Sequence, residues 1–277
     1  MTQAGSTILV TGGRGEIGSF FKKFCLATGN QVVDFETYEA SPHDYEQPRR
    51  LLHMAARADS GDIDRMIDSN VNYLASVMRR SVDLGIEEVI FFSSAAIYGN
   101  QDRDALTEDD CMIAPSLYGV SKLLGEGLLE ATPEIRSLCL RLPGVMEIGR
   151  STTFISRTFD TLLQGKPVTL CNAARQFNHY LALPVLAEFV IGVTMRAVHD
   201  VINLAPSSEM TLHQVVSHLK SCMGSDSKIN ISPECRPFFS LSTDKAETNY
   251  QFNRGDPREQ IDQWVQMRSN IEVEKYV

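Results

Sequence analysis

Tyr118 and Lys122 stand four residues apart in Tyr-Gly-Val-Ser-Lys, shortly after Pro115, a spacing that puts both side chains on one face of a helix. A phenol, with an ordinary pKa of about 10, is a poor base in neutral water, but a nearby cation favours the phenolate. Such a pair can exchange a proton with a substrate hydroxyl. The spacing is common on its own, and the upstream segment gives it weight. Phe91-Phe92-Ser93-Ser94-Ala95-Ala96-Ile97-Tyr98-Gly99 reads as the end of a parallel strand, the edge on which α/β sheets assemble their sites. Ser94 there could hydrogen-bond a reacting oxygen as charge develops on it.

A second constellation opens the chain. Thr11-Gly12-Gly13-Arg14-Gly15-Glu16-Ile17-Gly18 follows an apolar strand and begins a helical pattern, the context in which a glycine series binds a dinucleotide. Gly12 and Gly15 let the backbone approach a pyrophosphate, Gly18 lets helix and strand pack closely, and the amides at Glu16 and Ile17 meet the phosphates at the positive end of the helix. Such folds place a carboxylate at the end of the second strand to accept the ribose hydroxyls. Glu36 fits that place better than Asp34, and its charge would repel the extra phosphate of NADP. Arg14 pulls the other way, since a guanidinium could pair that phosphate. NAD is the expected cofactor, with NADP admitted by Arg14. A bound nicotinamide would supply a hydride acceptor beside Tyr118.

The elements that must hold these groups alternate. Strands are expected at Thr7–Val10, Gln31–Phe35, Arg50–Met54, Glu88–Phe92 and Ser137–Leu142, with helices at Ile17–Thr28, Ile63–Leu84 and Tyr118–Glu130 between them. That is an α/β doubly wound parallel sheet of the Rossmann kind. After Pro143 the pattern shortens: helices at Phe154–Gln164, Val185–Val198, Leu212–Met223 and Pro257–Met267, and a strand at Val201–Leu204. A dinucleotide-binding domain over 1–145, with part of 180–205 returning to it, and a smaller α/β substrate lobe over 146–277 are expected to meet across a cleft.

Composition narrows the class. With 277 residues, 43% of them hydrophobic, the chain can bury a large core. A net charge of −9 and the absence of Lys/Arg clusters argue against a nucleic-acid partner. Six scattered cysteines without a C-x-x-C read as reduced thiols, no apolar run reaches membrane-spanning length, and the N-terminus lacks a signal-peptide pattern, so the cytoplasm is expected and no metal site is.

TGGRGEIG, LLHMAA (51–56), SNVN (69–72), FFSSAAIYG (91–99), YGVSK (118–122) and LRLPGV (140–145) together resemble the extended short-chain dehydrogenase/reductase family, in its NAD-dependent epimerase/dehydratase branch, to which UDP-galactose 4-epimerase belongs. The resemblance implies Tyr118 as acid/base, Lys122 as ribose anchor and pKa modulator, Ser94 as substrate hydrogen-bond donor, Met54, Ala55 and Ala56 beneath the cofactor, and Ser69 in the polar place before Asn-Val-Asn. His53 reads as a packed histidine. Alanines at 95 and 96 stand where sugar dehydratases carry acids, so dehydration is not expected. Gly144 replaces a substrate-contacting asparagine, Leu181–Val185 replaces a His- and Asp-containing segment, and Glu36–Arg50 is too short for the usual extra strand and helix, with Asp44 a candidate adenine-side contact. Arg141, Arg150, Arg175 and Arg236 are candidates for a diphosphate.

The resemblance implies an epimerase or ketoreductase of a nucleotide-activated sugar. Reduction of a non-sugar ketone or aldehyde is the second reading, and a dinucleotide sensor without chemistry the third. Apolar positions on the helices Ile63–Leu84 and Tyr118–Glu130 point to a homodimer seam.

Overall fold

Thr7–Thr11 is buried at every position, as a strand covered on both faces must be, and forms β1. In the computed structural model, which describes residues 7–58, 61–149 and 152–274, β1 pairs in parallel with β2 (Gln31–Asp34) on one side and β3 (Arg50–His53) on the other. β4 (Glu88–Ser94), β5 (Arg136–Leu142) and β6 (His199–Asn203) complete a six-stranded parallel sheet in the order β6-β5-β4-β3-β1-β2. The order reverses between β1 and β3, where an open α/β sheet forms its crevice at the carboxyl ends of the strands.

Between the strands run α1 (Glu16–Ala27), α2 (Phe35–Ala40), α3 (Ile63–Ile67), α4 (Tyr73–Asp83) and α5 (Leu117–Glu130). The short Glu36–Arg50 stretch holds only the rest of α2 and a 3₁₀ turn at Pro42–Asp44, so β2 stays at the edge and Asp44 is exposed. The helix expected over Ile63–Leu84 is interrupted: a π-helical turn at Asp68–Asn72 separates α3 from α4. Such turns gather at functional sites.

The chain divides into two compact units. The first ends at Gly99 and takes in Met112–Arg141 and Val190–Ile202; the second comprises Asn100–Cys111, Leu142–Phe189 and the chain from Asn203 onward. In the first, Leu9, Leu51, Val89 and Cys139 of the sheet pack with Leu74, Val77 and Met78 of α4. In the second lie α6 (Phe154–Leu163), most of α7 (Leu183–Gly192; its last residues, from Val190, belong to the first), α8 (Leu212–Cys222), α9 (Asp244–Tyr250) and α10 (Pro257–Glu274). Phe159, Tyr180, Val216 and Trp264 lie in its core. Capping boxes at Thr153/Ser156 and Thr211/Gln214 start α6 and α8. Ala105–Leu106 pairs with Ser240–Leu241, which explains why Asn100–Cys111 joins this unit. α7 stops at Gly192, short of the expected Val198. No helix among the described residues is long and apolar enough to cross a membrane.

Candidate active site

Ser116 caps α5, its hydroxyl accepting from the Gly119 amide at 3.1 Å, and so fixes the turn that carries Tyr118. One turn on, Lys122 is buried. Its Nζ donates to the Phe92 carbonyl at 2.6 Å, lies 4.7 Å from the Phe91 ring centre and 5.8 Å from that of Tyr118. Burial outweighs the nearby Glu126 charge and lowers the Lys122 ammonium to about 7. Ser94, the last residue of β4, accepts from the Ala96 amide at 3.1 Å and hydrogen-bonds the Tyr118 phenol. Burial pushes Tyr118 up to about 12, opposed by that bond from Ser94. The structure thus brings Ser94, Tyr118 and Lys122 together at the carboxyl end of β4, with the phenol protonated.

A buried asparagine supports this group. Asn70 in the π turn accepts from the Arg57 amide at 2.7 Å and donates to the Arg57 carbonyl and to the Ser121 hydroxyl, both at 2.9 Å. Ser121 in turn donates to the Tyr118 carbonyl at 2.8 Å. Asn70 therefore ties the segment after β3 to the turn of α5 that holds Tyr118. Ser69, the neighbouring residue expected on the cofactor side, is half-buried. An amide in the middle of a helix was the available signal, because side chains of that type favour helix ends and turns.

The glycine turn lies against β3's exit. Gly12 has φ +70°, and a Cβ on it would stand 2.7 Å from the Ala55 amide nitrogen and 3.0 Å from the Met54 carbonyl carbon. A Cβ on Gly18 would stand 2.3 Å from the Gly12 carbonyl oxygen, so only glycine lets α1 approach this closely. Gly15 is the N-cap of α1 and supplies no side-chain cap to the amides that follow, those of Glu16 and Ile17 among them. Met54 and Ala55 are half-buried beside the turn and Ala56 is exposed. β2 ends at Asp34, one residue short of the expected Phe35, and Asp34 faces Gly13. Glu36 sits in the first turn of α2, exposed, and accepts from the Tyr73 hydroxyl. Arg14 is exposed on the turn.

His53 is fully buried between the Tyr73 and Phe91 rings, its Nδ1 3.1 Å from the Thr11 hydroxyl and its Nε2 without a hydrogen-bond partner. Burial, then the Lys122 charge, lowers it to about 3. Arg141 is removed from the diphosphate candidates, because it is buried against Glu126 at 2.9 Å and donates to the Tyr98 hydroxyl at 3.0 Å. Arg150 lies outside the described residues.

In the second unit Arg175 pairs with Asp102 at 2.9 Å, and Arg236 flanks an aromatic groove of about 430 Å³ lined by Phe154, Phe177, His179, Phe238 and Phe239. A Cβ on Gly144 would stand 3.0 Å from Thr153 Cγ2, so a side chain there would need its neighbours to shift. Leu181–Leu183 is buried, so that segment serves the core. His179 was missed; its Nε2 lies 2.6 Å from the Phe239 carbonyl oxygen, and burial lowers it to about 4. Elsewhere in this unit His218 and Cys222 both contact one oxygen of Asp262, with the Arg258 guanidinium 3.5 Å from the His218 ring.

A sequence model of the NAD dependent epimerase/dehydratase family matches residues 8–182, which include every member of both constellations. The chain belongs to this family. Among curated members, the UDP-glucose 4-epimerase of Lacticaseibacillus casei is 27% identical over 151 residues, 44% of this chain and 46% of that protein. That of Halalkalibacterium halodurans is 26% identical over 164 residues, 48% of this chain and 49% of that protein. The chain spans about half the length of the curated relatives it matches. Two solved structures share the epimerase/dehydratase fold. WbmG of Bordetella bronchiseptica, solved with NAD, superposes with a TM-score of 0.80 at 19% identity over 97% of this chain and 96% of that one. The UDP-glucuronic acid 4-epimerase of Bacillus cereus, also solved with NAD, gives 0.77 at 18% identity over 95% and 99%.

Proposed function

We propose that this chain binds NAD and acts on a nucleotide-activated sugar as an epimerase or ketoreductase. The observation that carries the reading is the Ser94–Tyr118–Lys122 group at the carboxyl end of β4, two strands from a glycine turn that a single Cβ would block. That turn fits a dinucleotide: glycines at the N-cap of α1 and at residue 12 put no side chain where a pyrophosphate would approach.

When bound, the nicotinamide supplies a hydride acceptor and donor. Tyr118 moves the matching proton at its phenol oxygen, while Ser94 hydrogen-bonds the same reacting oxygen. Lys122, with its Nζ 5.8 Å from the Tyr118 ring centre, would hold a ribose hydroxyl of the bound dinucleotide. The alanines at 95 and 96, in the 3₁₀ turn after Ser94, offer no acid to expel water. The curated relatives named above are UDP-glucose 4-epimerases, which supports a UDP-sugar as substrate. The aromatic groove of the second unit, with Arg236 beside it, supplies a platform for a base and one cation.

Its apolar lining also favours a second reading, reduction of a non-sugar ketone. Incubating the chain with UDP-glucose or UDP-glucuronic acid and NAD, and separately with non-sugar ketones and NADH, with sugar configuration read by NMR and the nicotinamide by absorbance, separates them. Inversion without net absorbance change supports an epimerase. Net change supports a reductase, and a response only to non-sugar ketones overturns the sugar reading.

Leu117, Val120 and Leu124 are exposed on α5, as are Ile63 and Ile67 on α3, and these apolar faces support a homodimer seam. All six cysteines are free thiols, which supports the cytoplasm.

A further inference from the structure

The carboxylate that ends β2 is already neutralised. Lys22, on α1, places its Nζ 2.5 Å from Asp34 Oδ2, and the two side chains are only 29% and 33% exposed. The pair lies across the glycine turn: a Cβ on Gly13 would stand 2.2 Å from Asp34 Oδ1, 2.7 Å from Lys22 Cε and 3.0 Å from Lys22 Nζ. A bare carboxylate at this place accepts the adenine-ribose hydroxyls and repels a 2′-phosphate. Here one of its oxygens is held by an ammonium. An incoming phosphate meets a pair of zero net charge, with a cation at its edge and Arg14 exposed on the same turn.

We propose that Lys22 is the residue that sets dinucleotide choice, and that by masking Asp34 it lets the chain bind NADP about as readily as NAD. This rests on the dinucleotide-binding reading of the glycine turn. Two opposite consequences follow. Removing the ammonium exposes Asp34 and disfavours the phosphate; removing the carboxylate frees Lys22 and favours it. Because the groups are partly exposed, salt weakens the phosphate contact more than it weakens the hydroxyl contacts.

The test is calorimetric titration of the full chain with NAD and with NADP, at about 20 mM and about 500 mM salt, for the native chain, Lys22→Ala and Asp34→Asn. The native Kd values are expected within about tenfold of each other, with NADP the more salt-sensitive. Lys22→Ala is expected to raise the Kd ratio of NADP to NAD by at least about tenfold through NADP alone, and Asp34→Asn to lower it. NAD binding with a native ratio above about a hundred, or a ratio that Lys22→Ala leaves unchanged, overturns the proposal while the cofactor reading stands. Failure of both dinucleotides to bind removes the cofactor reading, and this proposal with it.

Discussion

Lys122 Nζ donates to the Phe92 carbonyl oxygen at 2.6 Å, so the ammonium of α5 is fastened to the strand that ends in Ser94. Its folded pKa of about 7 lies below the ordinary 10.5 because burial penalises the charge. Between those values the unfolded chain binds a proton that the folded chain does not, so stability rises with pH across that window. Lys122→Met should flatten this rise and leave the melting temperature at neutral pH unchanged or higher. Turnover should fall by about a hundredfold or more. Thermal unfolding at several pH values and steady-state rates measure both effects. A variant with a lower melting temperature and an unreduced slope would show that the buried ammonium stabilises the fold.

Tyr118 is a phenol held up to about 12 by burial, with Ser94 opposing. A bound oxidised nicotinamide adds positive charge nearby and should draw that value down. Absorbance near about 295 nm, the tyrosinate band, should show one tyrosine titrating at lower pH once NAD is added, and Tyr118→Phe should lose that step. The same variant should turn over about 10²- to 10⁴-fold more slowly while still binding NAD. A near-normal rate for Tyr118→Phe would remove this residue from the chemistry.

Much of this was legible in the residues. The alternation of apolar runs and helical spacings gave the sheet, and the short Glu36–Arg50 stretch accounts for the edge position of β2. Other features hide for physical reasons. β2 ends at Asp34, one residue before the expected Phe35, and Phe35 and Glu36 open α2, because a single short apolar run does not mark where a strand turns into a helix. Asn70 sits in a run whose spacing reads as continuous helix, and its partners Arg57 and Ser121 are distant in sequence. Arg141 carries no mark of burial, because its partner Glu126 lies on a different element. α9 contains too few apolar residues to show a period.

His53 gives the fold an acid limit. Its pKa of about 3 lies below the ordinary 6.5, chiefly through burial and then through the Lys122 charge. The folded chain keeps the ring neutral. Below about 6.5 the unfolded chain takes up a proton that the folded chain refuses, so this stability is present above that pH and is lost as pH falls toward 3. The full shift amounts to about 4–5 kcal/mol. Urea unfolding at neutral pH and near pH 4 should show a smaller loss for His53→Asn than for the native chain. Equal losses would mean that other groups control acid unfolding.

Arg141 and Glu126 form an ion pair in which each side chain is only 6% exposed, and the pair is held on both sides. Glu126 accepts from the Ser93 hydroxyl at 2.5 Å, and the Arg141 guanidinium lies 5.2 Å from the Tyr98 ring centre while donating to its hydroxyl. Arg141 therefore joins β5 to α5 and to the 3₁₀ turn that follows Ser94. Removing one partner strands the other charge in a dry site. Arg141→Met and Glu126→Gln should each cost about 3–5 kcal/mol in urea unfolding. Arg141→Met combined with Glu126→Leu should recover most of that loss, since neither charge is then left buried. The double variant should bind UDP as the native chain does, because the guanidinium is engaged within the fold. Recovered stability with lost UDP affinity would return Arg141 to the diphosphate contacts from which its burial has removed it.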